Sequence, residues 1–308
     1  MIFKSFTEQD AALWGRHTVQ LQHTLHEHEL FSNEALKDLI DRYPREFYHL
    51  ITMGQPGAPK SYWREGEKGE STGADVFEAI AHGRLWINMR RVGDVDKRYG
   101  EVLDEMFEEA RDHVPDFETY KRDMGILVSS PGAQVYYHCD IPGQSLWQIR
   151  GRKKVYLYPN TAPFLPEPEM EKVILGETEE EIHYESWFDD HASVIELEPG
   201  QMLHWPLNAP HRVENLDMLN VSITTEHFTD DIRKQYAVRY ANGVLRSRLG
   251  MQNLSPATDG PFVYPKMAVA AAFKYGGLHK PNASRHVVDF RVEKDKPDGL
   301  VDIPSYVL

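Results

Sequence analysis

The run VYYHCDIPGQSLWQIRGRKKVYLYP, Val135 to Pro159, carries an imidazole and a carboxylate two positions apart, at His138 and Asp140. On a strand, residues two apart project to the same face, so the two side chains aim at one point while Cys139 turns away. Neutral imidazole plus carboxylate, completed by a second histidine, is the facial triad that binds non-haem Fe(II) and leaves coordination positions open. The third ligand has to come from another strand, and LEPGQMLHWPLNAPHRVEN offers His204 and His211. There Pro199-Gly200 turns into a strand, Pro206 ends it, and His211 opens the next, as expected at a barrel mouth. His204 falls inside the strand beside Trp205, where packing or lining is its expected role, so His211 is preferred. An isolated H-x-D is weak in a chain with 15 histidines. Its weight comes from the strand series around it, a lysine on a following strand, and the later turn-Pro-His element.

The elements that must position these residues change character along the chain. FSNEALKDLIDRYP puts Leu36, Leu39, Ile40 and Tyr43 on one helical face, with Ser32 or Asn33 as cap and Pro44 as stop. STGADVFEAIAHG has Thr72 and Asp75 at capping-box spacing and ends at Gly83. EVLDEMFEEARDHVP repeats the helical pattern, and FYHLITMG and LWINMRRV read as strands. The middle is a series of short strands: GILVSS, QVYYHCD, LWQIRG, KKVYLYP, SVIELEPG, QMLHWP, HRVEN and MLNVSITTEHF. Such a series predicts a sandwich or barrel, of which a jelly roll is one form. An acidic insert with ten acids and one lysine, Glu167 to Asp190, interrupts it. It is expected as a solvated loop, or else as a lid or a surface for a basic substrate. Beyond Thr229 two helices and a polar tail are predicted.

HCD, QIRGRKKVYLYP and EPGQMLHWPLNAPHRV together resemble the JmjC/cupin-type 2-oxoglutarate oxygenases, in particular the branch of the hypoxia-inducible-factor asparagine hydroxylase. The resemblance spans roughly residues 125–228. It implies a mainly β fold with flanking helices, a double-stranded β-helix (jelly roll), with residues 1–84 packed on it, a catalytic core over 85–229 and a helical extension over 230–308. It implies that His138, Asp140 and His211 bind Fe(II), and that Lys153 grips the far carboxylate of 2-oxoglutarate as co-substrate. The residues agree on the lysine. If Val155 and Leu157 face inward, Lys153 shares their side, and a buried ammonium is costly unless paired. Where the relative has a threonine this chain has Val135, and Tyr136 offers a hydroxyl instead. Gln144 stands for an asparagine. Glu226 replaces another, and an acid there would repel the bound carboxylate unless turned away or protonated. The implied activity is a dioxygenase that couples oxidative decarboxylation of 2-oxoglutarate to hydroxylation or demethylation of an unidentified substrate.

Candidate substrate contacts are Asn88, Arg90, Arg91, Trp147, Gln148, Trp205 and Asn208, each also readable as a core or rim residue. His23, His26 and His28 in HTLHEHE invite a second metal site, against a solvated polar helix as the plainer reading. The net charge of −14 argues against nucleic acid and anionic membranes as partners. The single cysteine excludes an intrachain disulfide and suits a reducing compartment. With no signal-like start and no long apolar run, a soluble, cytoplasmic protein is expected. The resemblance to oxygenases with dimerising C-terminal helices implies a homodimer, and AVAAAF in the extension is an apolar face that would otherwise be exposed. The competing readings are a cupin metalloprotein that is not an oxygenase, such as an isomerase or hydrolase, and a non-catalytic JmjC-like binding or regulatory protein.

Overall fold

Strands precede, build and follow a β-helical core in a computed structural model that describes residues 1–54, 62–178, 182–277 and 286–308. Before the core come β1 (Phe3–Ser5), β2 (Val19–His23), β3 (Tyr48–Thr52), β4 (Arg64–Glu67) and β5 (Leu85–Met89). The core is β6 (Tyr120–Ser129), β7 (Gln134–His138), β8 (Gly143–Arg150), β9 (Lys153–Leu157), β10 (Ser193–Leu197), β11 (Gln201–His204), β12 (His211–Asn215) and β13 (Asn220–Phe228). After it come β14 (Val287–Val292) and β15 (Leu300–Val307). Among the described residues the strands make two sheets, ordered β1-β2-β11-β8-β13-β6-β5-β3-β4-β14-β15 and β10-β9-β12-β7. Along β6 to β13 the chain crosses between the sheets and leaves every core pair antiparallel, which is the double-stranded β-helix.

The period-2 pattern decides which side chains line the barrel. On β9 Lys153, Val155 and Leu157 are buried while Lys154 and Tyr156 are only partly so. Val155 and Leu157 join Leu146, Leu197, Leu203, Trp205 and Ala209 inside. The other face of the large sheet, with Ile126, Trp147, Met202 and Ile223, belongs to a larger core that the N-terminal segment covers. That cover consists of α1 (Glu8–Leu13), α2 (Asn33–Asp41), α3 (Gly73–His82), α4 (Val92–Val95) and α5 (Lys97–His113). Ser32 caps α2 through the Ala35 amide, and Thr72 with Asp75 forms the capping box of α3. Helix α2 buries Leu36, Leu39 and Ile40, each worth about 1.5–3 kcal/mol. Gly200, at φ +84°, makes the turn into β11; a Cβ there would sit 2.8 Å from the His26 ring.

Behind the small sheet, a separate core joins Tyr137, Cys139 and Tyr158 to α6 (Glu167–Leu175), α7 (Asp230–Leu249) and α8 (Val263–Tyr275). This corrects the reading of the acidic insert as a solvated loop. Met170, Val173, Ile174 and Leu175 of α6 are buried, as is Phe188 beyond it. Its acids pair with arginines of α7: Glu167 with Arg239 at 2.9 Å and the buried Glu171 with Arg246 at 2.7 Å. A helical period of apolar residues was present beneath the charge. Residues 179–181 of the insert lie outside the described residues. The tail after α8 is not merely polar: β14 adds in parallel to β4, and β15 pairs with β14. All three segments of the chain thus contribute strands to one sheet. The AVAAAF run is not a bare face either, since Val269, Ala270 and Phe273 pack on the second core, and the exposed aromatics of this region are Phe262, Tyr264 and Tyr275.

Candidate metal centre and co-substrate pocket

His138 ends β7 and His211 opens β12, and the two stand opposite each other in the ladder. Their rings lie 4.1 Å apart between centroids. Asp140, two residues beyond His138, turns back toward them. His138 Nε2 is 3.8 Å from Asp140 Oδ1, and His211 Nε2 is 3.4 Å from Asp140 Oδ2. The three ligand atoms lie within 4.8 Å of one another, with Asp140 and His211 buried. Cys139 faces away into the second core.

The ring orientations are fixed by the backbone. His138 Nδ1 is 2.7 Å from the Tyr136 carbonyl and His211 Nδ1 is 3.0 Å from that of Ala209. A carbonyl only accepts, so each ring carries a proton on Nδ1 and turns its Nε2 toward Asp140. Burial, and then the neighbouring His138, holds His211 well below the ordinary imidazole range, which keeps it neutral. Asn208, left-handed at φ +58°, donates its Nδ2–H to the Asp140 carbonyl at 2.6 Å. Its Oδ1 accepts from Arg239, which is clamped by Glu167. Helices α6 and α7 therefore brace the Asp140 turn, and Asn208, a candidate substrate contact, bonds the Asp140 backbone.

His204 goes elsewhere. It projects from the opposite face of the large sheet, stacked on Trp14 at 4.0 Å and hydrogen-bonded to Ser145. The packing role expected for it is the role it has. Trp205, one residue on, faces the barrel and lies 4.7 Å from the His211 ring. Trp147 is a core residue bonded to Thr225, and Gln148 is held by Asn220. Arg91 pairs with Asp94 and stacks on Phe47, and Arg90 is exposed. Asn88 projects from β5, paired across the ladder with Leu127 and His49. The HTLHEHE histidines are on a strand end and turns, not on a polar helix. His23 is buried, His28 caps a turn, and the three do not gather around one point.

Lys153 is buried inside the barrel, 3% exposed, on the ladder rung of Leu197 and Asn215. Its Nζ donates to Ser222 Oγ at 2.9 Å. Burial alone pushes the amine down to about 7, with no carboxylate among the described residues to hold its charge. Ser222, Thr224 and Glu226 alternate along β13 on the same interior face, and Gln144 of β8 stands opposite Glu226. Ser222 escaped the sequence reading, although Val221 and Ile223 on the packed face mark it as interior by alternation. Tyr136 shares the face of His138; its hydroxyl accepts from Gln134 and its ring packs on Trp63 at 5.1 Å.

Residues 86–228 match the family model of the cupin-like domain. Among solved structures the chain is similar to Escherichia coli YcfD at 16% identity, with a TM-score of 0.53 over 99% of this chain and 88% of that one. A second structure of that protein, a ribosomal oxygenase in complex with cobalt and 2-oxoglutarate, aligns at 15% identity with a TM-score of 0.50 over the same shares. No curated protein matches the chain. No helix among the described residues is long and apolar enough to cross a membrane.

Proposed function

We propose that the protein is an Fe(II)- and 2-oxoglutarate-dependent dioxygenase that hydroxylates or demethylates its substrate. The observation that carries this reading is the buried amine of Lys153 in the same barrel as the two-histidine, one-carboxylate cluster. An ammonium there is costly without an anion, and Ser222 supplies only a hydroxyl. Four residues of strand, about 13 Å, separate the ladder rungs of His211 and Lys153. A lysine side chain and a five-carbon dicarboxylate bridge such a gap. The cobalt and 2-oxoglutarate bound by the E. coli neighbour support the same pairing.

The donor types fit the metal: two imidazoles with Nε2 turned toward one carboxylate would hold Fe(II). When bound, Fe(II) and 2-oxoglutarate supply oxygen activation coupled to decarboxylation, with succinate and carbon dioxide as products. The chain's own part is positional. His138, Asp140 and His211 would hold the ion, Asn208 fixes the turn that carries the carboxylate, and Lys153 with Ser222 would orient the far end of the co-substrate. Tyr136 and Gln144 complete the proposed co-substrate contacts, and Trp205 shields the His211 side from water. The narrower kinship with the asparagine hydroxylase branch is proposed on the same lysine.

The test is anaerobic reconstitution with Fe(II), addition of 2-oxoglutarate and oxygen, and measurement of succinate. Succinate that depends on both additions is the expected result. A protein that neither releases succinate nor binds 2-oxoglutarate would return the chain to the competing readings of a non-oxygenase metalloprotein or a binding protein.

A further inference from the structure

A second cluster of two histidines and a carboxylate lies at the end of the large sheet where β3, β4 and β14 run side by side, outside the eight core strands. His49 is on β3, Glu65 on β4, and His286 stands one residue before β14. His49 Nδ1 is 2.9 Å from Glu65 Oε1, and His286 Nδ1 is 2.8 Å from Glu65 Oε2. The two imidazole rings are 4.9 Å apart between centroids. The three ligand atoms fall within 4.8 Å of one another, around a carboxylate only 8% exposed.

We propose that His49, Glu65 and His286 form a second metal site, specific for a borderline divalent transition ion such as Zn(II). Two imidazole nitrogens and a carboxylate oxygen are a donor set that Zn(II) takes, with water as a fourth ligand. Each Nδ1 already points at the carboxylate, so the ion enters between groups that are converged before it arrives. The preorganisation has an identifiable source. Arg45 lies 3.4 Å from Glu65 Oε1 and is itself fixed by the carbonyls of Tyr48 and Gly66, which orients the acid. Its charge opposes the cation, so the site binds more weakly than the same donors would alone. Binding there ties β3 and β4 to the start of β14, the point where the C-terminal hairpin joins the sheet in parallel. The role is structural: an ion that binds only the folded chain stabilises it.

The proposal does not depend on the barrel's function, and one experiment separates the two. Chelator-stripped protein is titrated with Zn(II) against a weak competing chelator, and bound metal and melting temperature are followed for the wild type, His138→Ala, Glu65→Gln and His286→Ala. Two equivalents are expected in the wild type and one in each variant. Saturation of the second site should raise the melting temperature by roughly 5 °C in the wild type and His138→Ala, and should not in Glu65→Gln or His286→Ala. His286 is part-exposed at a strand start, so its alanine variant removes a ligand with little packing. A stoichiometry unchanged by both Glu65→Gln and His286→Ala overturns the proposal, as does a single wild-type equivalent that vanishes in His138→Ala. In either case the trio is a hydrogen-bonded bridge. A single equivalent that survives His138→Ala and vanishes in His286→Ala supports the second site and counts against the barrel's.

Discussion

His204 and His211 are seven residues apart, both buried, and both pushed far below the ordinary imidazole range by that burial. They face opposite sides of the fold. His211 meets a second imidazole and a carboxylate inside the barrel; His204 meets an indole and a hydroxyl on the outer core. Burial and a perturbed titration are therefore shared by a candidate ligand and a packing residue. What distinguishes them is the partner each ring nitrogen finds. Both rings have one nitrogen occupied, by a carbonyl in His211 and by a hydroxyl in His204. Only His211 turns the other toward an acid.

Substitution at the two positions gives the largest contrast. His211→Ala should remove the barrel's metal equivalent and lower succinate release at least about 1000-fold, ~4 kcal/mol at 1.36 kcal/mol per decade. His204→Ala should leave turnover per folded molecule within about twofold and instead destabilise the protein by roughly 2–4 kcal/mol through the cavity beside Trp14. Comparable turnover in the two variants would erase the distinction. Lys153→Ala comes next, with a rise in the 2-oxoglutarate dissociation constant of about 50- to 100-fold, the worth of a charge-assisted contact. Lys153→Met should weaken that binding to the same extent while raising the melting temperature of the ligand-free protein, since a buried amine gives way to an apolar chain. A lysine serving only the fold would show the reverse. Acid stability is the third contrast. His23, His204 and His227 are held by burial at about 3, about 3 and about 4, so the native state keeps them neutral. Below the ordinary value near 6.5 the unfolded chain gains protons that the native chain does not, and stability falls as pH falls. His204→Phe should flatten the loss between pH 7.5 and 5.5 by about 1.4 kcal/mol, read from denaturant midpoints at the two pH values.

The barrel was legible because its chemistry is written in local periods. His138 and Asp140 are two apart, Lys153 shares the period of Val155 and Leu157, and the turn before β11 announces His211. Ser222 carried the same signal, but a hydroxyl amid a strand has no chemistry of its own until an amine points at it. The HTLHEHE cluster shows the converse: histidines close in sequence, two of them in ring contact at 5.7 Å, form no common ligand set among the described residues. His49, Glu65 and His286 come from three segments joined only by sheet pairing, and no spacing rule connects them. The strand that brings His286 home, VVDFRV, is β-branched and alternating, yet the charged residues around it made the tail read as merely polar. In the acidic insert, charge likewise concealed the apolar period of Met170, Val173 and Ile174. Periods whose residues carry their own chemistry were legible; apolar periods under charge, a lone hydroxyl, and a cluster assembled by sheet pairing were not.

The smallest effect separates the lysine inside the barrel from the histidines outside it, because one titrates on binding and the others on unfolding. In the ligand-free protein burial holds Lys153 at about 7. A bound carboxylate favours the ammonium and raises that value, so binding takes up a proton wherever the free amine has lost one. The dissociation constant for 2-oxoglutarate should thus change by less than about twofold between pH 6 and 7 and rise about fivefold between pH 7 and 8. Lys153→Arg, charged throughout, should flatten that rise. Calorimetric titration of the two proteins at each pH decides the matter: equal slopes would mean that the pH dependence belongs to the metal ligands or to the co-substrate, and that the amine is already charged when the co-substrate arrives.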